Sequence, residues 1–198
     1  KMERLKGVAE IRRKTKTVAV QAQAETPMLF SQIRQPDSNY LAIPEVSSER
    51  RRYVPIGFMT PDIIASNKLY LVPNADLYMF GIMISNVHMA WMRVVAGRLK
   101  RDYSYSPAVY NNFPWPTPTD DQKAKIEQTT QAILDARALY PDSSLADLYD
   151  ETTMPPELRR AHQQNDRAVM QAYGFSIKDM TESKYVAELM RMYQILTK

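Results

Sequence analysis

Residues 97–106 read Gly-Arg-Leu-Lys-Arg-Asp-Tyr-Ser-Tyr-Ser, and this stretch decides how the rest of the chain is interpreted. Its aromatic and hydroxyl-bearing side chains favour an extended strand. Successive side chains of a strand point to opposite faces, so we expect Lys100, Asp102 and Ser104 on one face. The other face then carries Arg101, Tyr103 and Tyr105. One face is therefore expected to present hydrogen-bonding groups to a ligand while the other packs and anchors the strand.

Upstream of this stretch, short apolar runs interrupted by proline predict strands at 40–43, 53–58 and 69–72. A single helix is predicted over 74–95, because its apolar residues recur at intervals of three and four. These residues are Leu77, Phe80, Ile84, Val87, Trp91 and Val95. Gly97 is placed to end that helix and acts as the hinge before the strand.

Downstream, three prolines within 114–118 predict an extended connector and a domain boundary. Thr119 or Asp120 is expected to cap a helix that runs to about Tyr140. Further helical segments are predicted over 155–173, 181–196 and, as a short helix or turn, 143–149.

The sequence therefore predicts an α+β fold in three parts. A connecting helix from an upstream domain covers 1–24, a mixed domain of strands and helices covers 25–118, and a small all-helical C-terminal domain covers 119–198. Residues 1–118 carry a net charge of +7, whereas 119–198 carry a net charge of −3. The basic part is the candidate for binding a polyanion, and the acidic domain is expected to fold independently and to orient it.

Composition excludes several classes of site. No apolar run approaches the roughly 20 residues of a membrane span, and no signal peptide is visible, so we expect a soluble, intracellular protein. The absence of cysteine and the presence of only two histidines exclude disulfides, thiolate metal sites and multi-histidine metal sites. The five glycines never form the Gly-x-Gly of a cofactor loop. We therefore expect this chain to catalyse no reaction and to bind no cofactor.

The candidate contacts to DNA phosphates are Arg50, Arg51, Arg52, Arg98 and Arg101. The alternative for the run at 50–52 is a cluster of solvated charges that contacts no ligand. The basic helix over 1–24 is likewise either a solvated connecting helix or a helix that contacts phosphates. Lys100 can donate to guanine O6 and N7, and Asp102 can accept from cytosine N4. The alternative for this pair is an exposed salt bridge, which contributes about 0–1 kcal/mol.

Several segments, taken in order, are similar to one known family. They are Ile43-Pro44-Glu45-Val46-Ser47-Ser48-Glu49-Arg50-Arg51-Arg52-Tyr53-Val54-Pro55-Ile56-Gly57-Phe58, Tyr78-Met79-Phe80-Gly81-Ile82, His88-Met89-Ala90-Trp91-Met92-Arg93, Gly97-Arg98-Leu99-Lys100 and Tyr110-Asn111-Asn112-Phe113-Pro114-Trp115-Pro116. Together they resemble the target-recognition region of MmeI-like (Type IIL) DNA methyltransferases. Residues 141–149 and 154–158 resemble the C-terminal helical region of the same family.

In that family these regions follow an S-adenosylmethionine-dependent adenine-N6 methyltransferase domain, often with an endonuclease ahead of it. The resemblance implies a DNA-recognition fragment in the bacterial cytoplasm that binds double-stranded DNA beside an upstream methyltransferase domain, which holds the cofactor. It also implies that Lys100, Asp102 and Ser104 read bases, although many relatives carry arginine in place of Ser104. The residues alone leave open a protein-interaction module that docks a partner through helix 77–95 and the acidic C-terminal helices.

Overall fold

The computed structural model describes residues 2–30, 34–179 and 181–197. Residues 1, 31–33, 180 and 198, which the predicted domains include, lie outside the described residues. The chain divides into two compact units, Lys1–Gln35 and Pro36–Lys198. Within the described ranges, no helix is both long enough and apolar enough to cross a membrane.

The first unit consists of α1 (Met2–Lys14), α2 (Val18–Gln21) and a 3-10 turn (Ala22–Glu25). The single helix expected over 1–24 is therefore wrong, because the chain turns back after α1. The guanidinium of Arg12 holds the returning segment by donating to the carbonyl oxygens of Gln23 and Thr26, both at 2.8 Å. It also donates to the carbonyl oxygen of Leu29 at 2.6 Å.

The strands of the second unit are β1 (Tyr40–Pro44), β2 (Val46–Ser47), β3 (Gly57–Met59), β4 (Leu69–Pro73), β5 (Gly97–Leu99) and β6 (Asp102–Ser104). They form two antiparallel sheets with strand orders β3-β1-β4 and β2-β6-β5. Glu45, between β1 and β2, joins the two sheets. Its N–H donates to the Lys68 carbonyl at 3.0 Å, and its own carbonyl accepts from the Tyr105 N–H at 2.8 Å. Of the strand expected over 53–58, only the last two residues belong to β3.

The helices of this unit are α3 (Leu77–Met83), α4 (Asn86–Val95), α5 (Pro107–Asn111), α6 (Asp120–Ala138), α7 (Leu145–Leu148), α8 (Pro156–Ala172) and α9 (Glu182–Leu196). The single helix expected over 74–95 is wrong, because Ser85 separates α3 from α4. The Ser85 hydroxyl donates to the Ile82 carbonyl at 2.7 Å and accepts from the His88 N–H at 3.4 Å, which caps α4. Thr119 caps α6, as predicted, in a reciprocal pair of hydrogen bonds with Gln122.

Helices on both sides of residue 118 share one core. α6 packs along α8, α3 packs against α6, and α4 packs against α9. Gly81 marks the closest approach of α3 to α6, since a Cβ atom there clashes with the Thr130 hydroxyl and the Ile126 side chain. The α+β fold is confirmed. The hydrophobic core continues across the domain boundary expected at residue 118, because α3 and α4 pack against helices that follow it. The independent folding of 119–198 stays a prediction.

Candidate nucleic-acid interface

β5 and β6 form a hairpin joined by the two-residue turn Lys100-Arg101. We expected a strand and a loop over 98–106, and the structure shows that the chain reverses direction at this turn, so Lys100 does not continue the strand of Asp102 and Ser104. Lys100 adopts a φ of 58°, a left-handed conformation that is uncommon for residues other than glycine. The Lys100 side chain consequently lies at the tip of the hairpin and not in the strand register of Asp102 and Ser104.

Asp102 and Ser104 share one face of the hairpin, as expected from their spacing in β6. Leu99 lies directly opposite Asp102 on β5 and therefore points to the same face, with 56% of its surface exposed. Tyr103 points to the other face and is buried. Sequence reasoning missed Leu99, because a lone leucine in a strand is ordinarily a core residue. An exposed apolar side chain beside Asp102 is suited to contact a thymine methyl group.

Arg98 is held within the hairpin. Its guanidinium carbon lies 3.8 Å from the centre of the Tyr103 ring, and its Nη1 donates to the Arg101 carbonyl at 2.9 Å. The same Nη1 lies 3.9 Å from the Glu49 carboxylate. Arg101 and Lys100 are exposed. The tip of the hairpin therefore presents the side chains of Lys100 and Arg101 to solvent, and the Arg98 guanidinium holds the turn through its hydrogen bond to the Arg101 carbonyl.

Asp102 connects the hairpin to the segment that carries the arginine run. Its Oδ1 accepts from the Glu49 N–H at 3.3 Å. Among the described residues, Lys100 and Asp102 do not form the salt bridge that was the alternative interpretation of this pair. The structure thus brings Asp102, one of the base-reading candidates, next to Glu49, which directly precedes the arginine run.

The arginine run borders an open cleft of about 470 Å³. The cleft is lined by Glu49, Arg50, Arg51, Arg52, Asn86, Arg93, Glu151, Glu182 and Tyr185. Sequence reasoning missed Arg93, because it is an isolated charge within an apolar helix. The Arg93 guanidinium pairs with Glu182 at 3.1 Å and donates to the Arg52 carbonyl at 2.8 Å. Arg93 therefore supports the segment that carries the run.

In the part of the chain that the structure describes, the arginines of the run have no carboxylate within ion-pair distance. Arg51 makes one long hydrogen bond, from its Nη2 to the Ala146 carbonyl at 3.4 Å. Arg52, the last residue of the run, has a raised pKa, chiefly because of its interaction with Tyr53. It therefore stays charged at any physiological pH. Cations that form no direct ion pair with a carboxylate are available to an external anion. Among the described residues, no cluster of acidic or histidine side chains is arranged to hold a metal ion.

Two family models together match the whole chain. The MmeI target recognition domain matches residues 1–117, and the MmeI C-terminal domain matches residues 118–198. The chain belongs to the MmeI family. Its hairpin and arginine run lie in the part matched by the MmeI target recognition domain. Glu151, Glu182 and Tyr185, which line the same cleft, lie in the part matched by the MmeI C-terminal domain.

Individual relatives agree with the MmeI assignment. A solved structure of the Type IIL restriction-modification enzyme MmeI in complex with DNA matches 99% of this chain with a TM-score of 0.87 and 47% identity. DNA methyltransferase A of Bacillus subtilis (strain 168) is 39% identical over 175 residues, or 88% of this chain. This chain spans 26% of the solved MmeI chain and 20% of the Bacillus protein.

Proposed function

We propose that this chain is the sequence-reading part of an S-adenosylmethionine-dependent DNA adenine-N6 methyltransferase. It binds double-stranded DNA beside a methyltransferase domain of the same polypeptide, which holds the cofactor and receives the flipped target adenine. The observation that carries the proposal is the hairpin, which presents exposed Lys100 and half-buried Asp102 and Ser104 next to the run Arg50–Arg52. Among the described residues, the arginines of that run form no ion pair with a carboxylate. The similarity to an MmeI structure in complex with DNA supports it.

Base reading is assigned to the face and tip of the hairpin. Lys100 offers only donors, which suit guanine O6 and N7. Asp102 offers only acceptors, and because its Oδ1 already accepts from Glu49, its Oδ2 is left for cytosine N4. The hydroxyl of Ser104 both donates and accepts, so it discriminates weakly between bases. Together, Lys100 and Asp102 match a G·C pair better than any other base pair.

Backbone contacts are assigned to Arg50, Arg51, Arg52, Arg98 and Arg101. Phosphate contacts fix the register of a protein on the duplex without carrying sequence information. The run at 50–52 adjoins the hairpin through the Glu49 hydrogen bond to Asp102, so both groups are able to follow one stretch of duplex. Arg101 adds a phosphate contact at the tip, and Arg98 adds one through the N–H groups that Arg101 and Glu49 do not use.

The alternative role as a protein-docking module has no support in the described residues. Docking through helix 77–95 requires its apolar face to be accessible. That face is instead buried in the core of the second unit, where Phe80, Ile84, Val87 and Trp91 are at most 1% exposed.

A charge exchange at the hairpin tests the proposal. Lys100→Glu combined with Asp102→Arg reverses donors and acceptors, so it is expected to favour C·G over G·C at one position by about 1–3 kcal/mol. The preferred sequence is determined by selecting bound duplexes from a random library and sequencing them. Each single change is expected to weaken binding without a switch in sequence, because it leaves an unmatched charge in the groove.

The matched control is Lys123→Glu with Glu127→Lys, which exchanges the charges of an exposed pair on α6 whose atoms are 3.9 Å apart. It is expected to leave the selected sequence unchanged. If the hairpin exchange also leaves every selected position unchanged, these residues do not read bases. If the unmodified chain selects no sequence at all, the proposed function is wrong.

A further inference from the structure

Asp166 on α8 lies at the point where the C-terminal helices meet the DNA-binding segments. Its side chain is 4% exposed. One carboxylate oxygen, Oδ2, accepts from the Tyr53 hydroxyl at 2.6 Å, and the other, Oδ1, accepts from the Asn86 backbone N–H at 2.8 Å. These partners are 113 and 80 positions away in the sequence. A single carboxylate therefore ties together three segments that are remote along the chain.

Both partners adjoin elements of the proposed DNA interface. Tyr53 directly follows Arg52, so the Tyr53 hydroxyl anchors the end of the arginine run. Asn86 is the first residue of α4, and α4 leads through Ala96 into β5 of the hairpin. A carboxylate that accepts from Asn86 at the beginning of α4 fixes the position of the helix that leads into the hairpin.

α4 and the arginine run are also joined directly to each other. Arg93, in the last turn of α4, donates to the Arg52 carbonyl. Tyr53 stacks on His162 of α8 with 4.2 Å between ring centres, which adds a second contact between the run and the same helix. The arginine run, α4 and α8 are thus connected to one another. Asp166 is the residue of α8 that hydrogen-bonds both to Tyr53, at the end of the run, and to Asn86, at the beginning of α4.

The chemistry of Asp166 favours a positioning role over a role in stability. A buried carboxylate carries a desolvation penalty that its hydrogen bonds offset only in part, and burial raises the Asp166 pKa to about 6. Asparagine has nearly the same shape and avoids that penalty. Asparagine offers only one acceptor oxygen, however, so it cannot accept from Tyr53 and Asn86 through separate atoms.

We propose that Asp166 is a positioning residue for DNA binding, which fixes the Arg50–Arg52 run and α4 at once so that the arginines and the hairpin meet the duplex in a set geometry. The proposal rests on the proposed function, because it assigns the DNA contacts to those two elements. It places a determinant of DNA affinity in the region matched by the MmeI C-terminal domain, outside the segments that contact DNA.

The test compares Asp166→Asn with two other variants of the full chain. Tyr53→Phe removes one of the two hydrogen bonds and retains the ring, so it is the milder version of the same perturbation. Asn165→Ala is the matched control, because Asn165 is the neighbouring residue on α8 and is 0% exposed. Its amide donates to the Gly81 carbonyl at 2.8 Å and accepts from Thr129 and Thr130, which bind α8 to α3 and α6 and not to the run.

The first readout needs no DNA. In hydrogen exchange of the free chain, Asp166→Asn is expected to increase exchange at the Asn86 amide and through the arginine run, and Tyr53→Phe is expected to affect the run alone. Asn165→Ala is expected to increase exchange in α3 and α6 instead. Equal exchange at Asn86 and the run in the wild-type chain and in Asp166→Asn overturns the proposal.

The second readout is the salt dependence of binding to a random-sequence duplex. Each phosphate contact contributes about 0.9 to the slope of log affinity against log salt, so Asp166→Asn is expected to reduce the slope by about one to two contacts. Asn165→Ala is expected to lower the melting temperature and to keep the wild-type slope. An Asp166→Asn slope equal to wild type overturns this inference alone, whereas a wild-type chain that binds no duplex overturns the proposed function and the inference with it.

Discussion

The guanidinium of Arg98 lies 3.8 Å above the ring of Tyr103, its directly opposed residue in the β5-β6 hairpin. A planar cation on an aromatic face is held by electrostatic attraction and by burial of the ring. Because the same guanidinium donates to the carbonyl of Arg101, one side chain fixes both a strand pair and the turn. The exposed tip of the hairpin is therefore supported by its own strands.

Arg98→Lys tests this support. Lysine keeps the charge but loses the planar stacking surface and the fork of donors. We expect the variant to lose about 0.5–1 kcal/mol of stability and to bind DNA more weakly. Arg101→Lys is the control, since Arg101 is exposed and its side chain makes no comparable contact in the described residues. Melting temperature and duplex affinity are measured for both, and equal losses in the two variants would contradict the role given to Arg98.

Gly81→Ala tests the close approach of α3 to α6. The added Cβ clashes with Thr130 and Ile126, so we expect a loss of about 1–3 kcal/mol in the free energy of unfolding. Gly7→Ala in α1 is the control, because no atom lies within 4 Å of the added Cβ and alanine favours the helix. Urea denaturation measures both. A Gly81→Ala chain as stable as wild type would show that the helices are able to move apart freely.

Removal of residues 119–198 tests whether the helical region is dispensable for folding. The deletion uncovers faces of α3 and α4 that pack against α6, α8 and α9. We expect the remaining chain to lose cooperative unfolding and to expose hydrophobic surface that binds a fluorescent apolar dye. A sharp two-state transition in the truncated chain would instead support the independent helical domain expected from the sequence.

The pH dependence of stability reports on Asp166. Its folded-state pKa of about 6 lies above the ordinary value of 3.8, so the folded chain binds this proton more tightly than the unfolded chain. Its ionisation therefore opposes folding above pH 6, and stability is gained as the pH falls from above 6 towards 4. Arg52, Tyr53 and Tyr185 are the charged and titratable groups that act on the carboxyl. Burial lowers the pKa of His162, which stacks on Tyr53.

Asp166→Asn removes this dependence and leaves the other titrations in place. We therefore expect the difference in unfolding free energy, wild type minus variant, to increase as the pH is lowered through 6. Chemical denaturation at a series of pH values measures the difference. A difference that is constant with pH, or that decreases on acidification, would contradict a raised pKa.

Local signals in the sequence predict much of this fold. Thr119 and Gln122 mark the beginning of α6, because their reciprocal hydrogen bonds involve residues only three positions apart. The glycine at 174 follows α8 with a φ of 71°, a conformation that glycine adopts without strain. Such patterns are readable because their physical cause lies within one turn of chain.

The errors arise where the deciding interaction is not local or lacks its usual residues. The hairpin was missed because a Lys-Arg turn has none of the Asn-Gly or Asp-Gly character of common two-residue turns. The break at Ser85 was missed because apolar spacing continues from Ile84 to Val87 across it. The ties from Asp166 to Tyr53 and Asn86 join residues too far apart in the sequence for any spacing rule to reveal.

The core that spans residue 118 has a consequence for chimaeras of related proteins. In this chain, the Asn165 amide donates to the Gly81 carbonyl, and the Tyr173 hydroxyl donates to the Pro114 carbonyl at 2.9 Å. A chimaera joined at residue 118 takes the two partners of each hydrogen bond from different proteins. Each mismatch leaves a polar group without its partner or forces two helices apart. The hairpin tip belongs to no such interface, because Lys100 and Arg101 are exposed. Under the proposed function, base preference is therefore transplanted more safely by exchanging a few hairpin residues than by exchanging a whole domain.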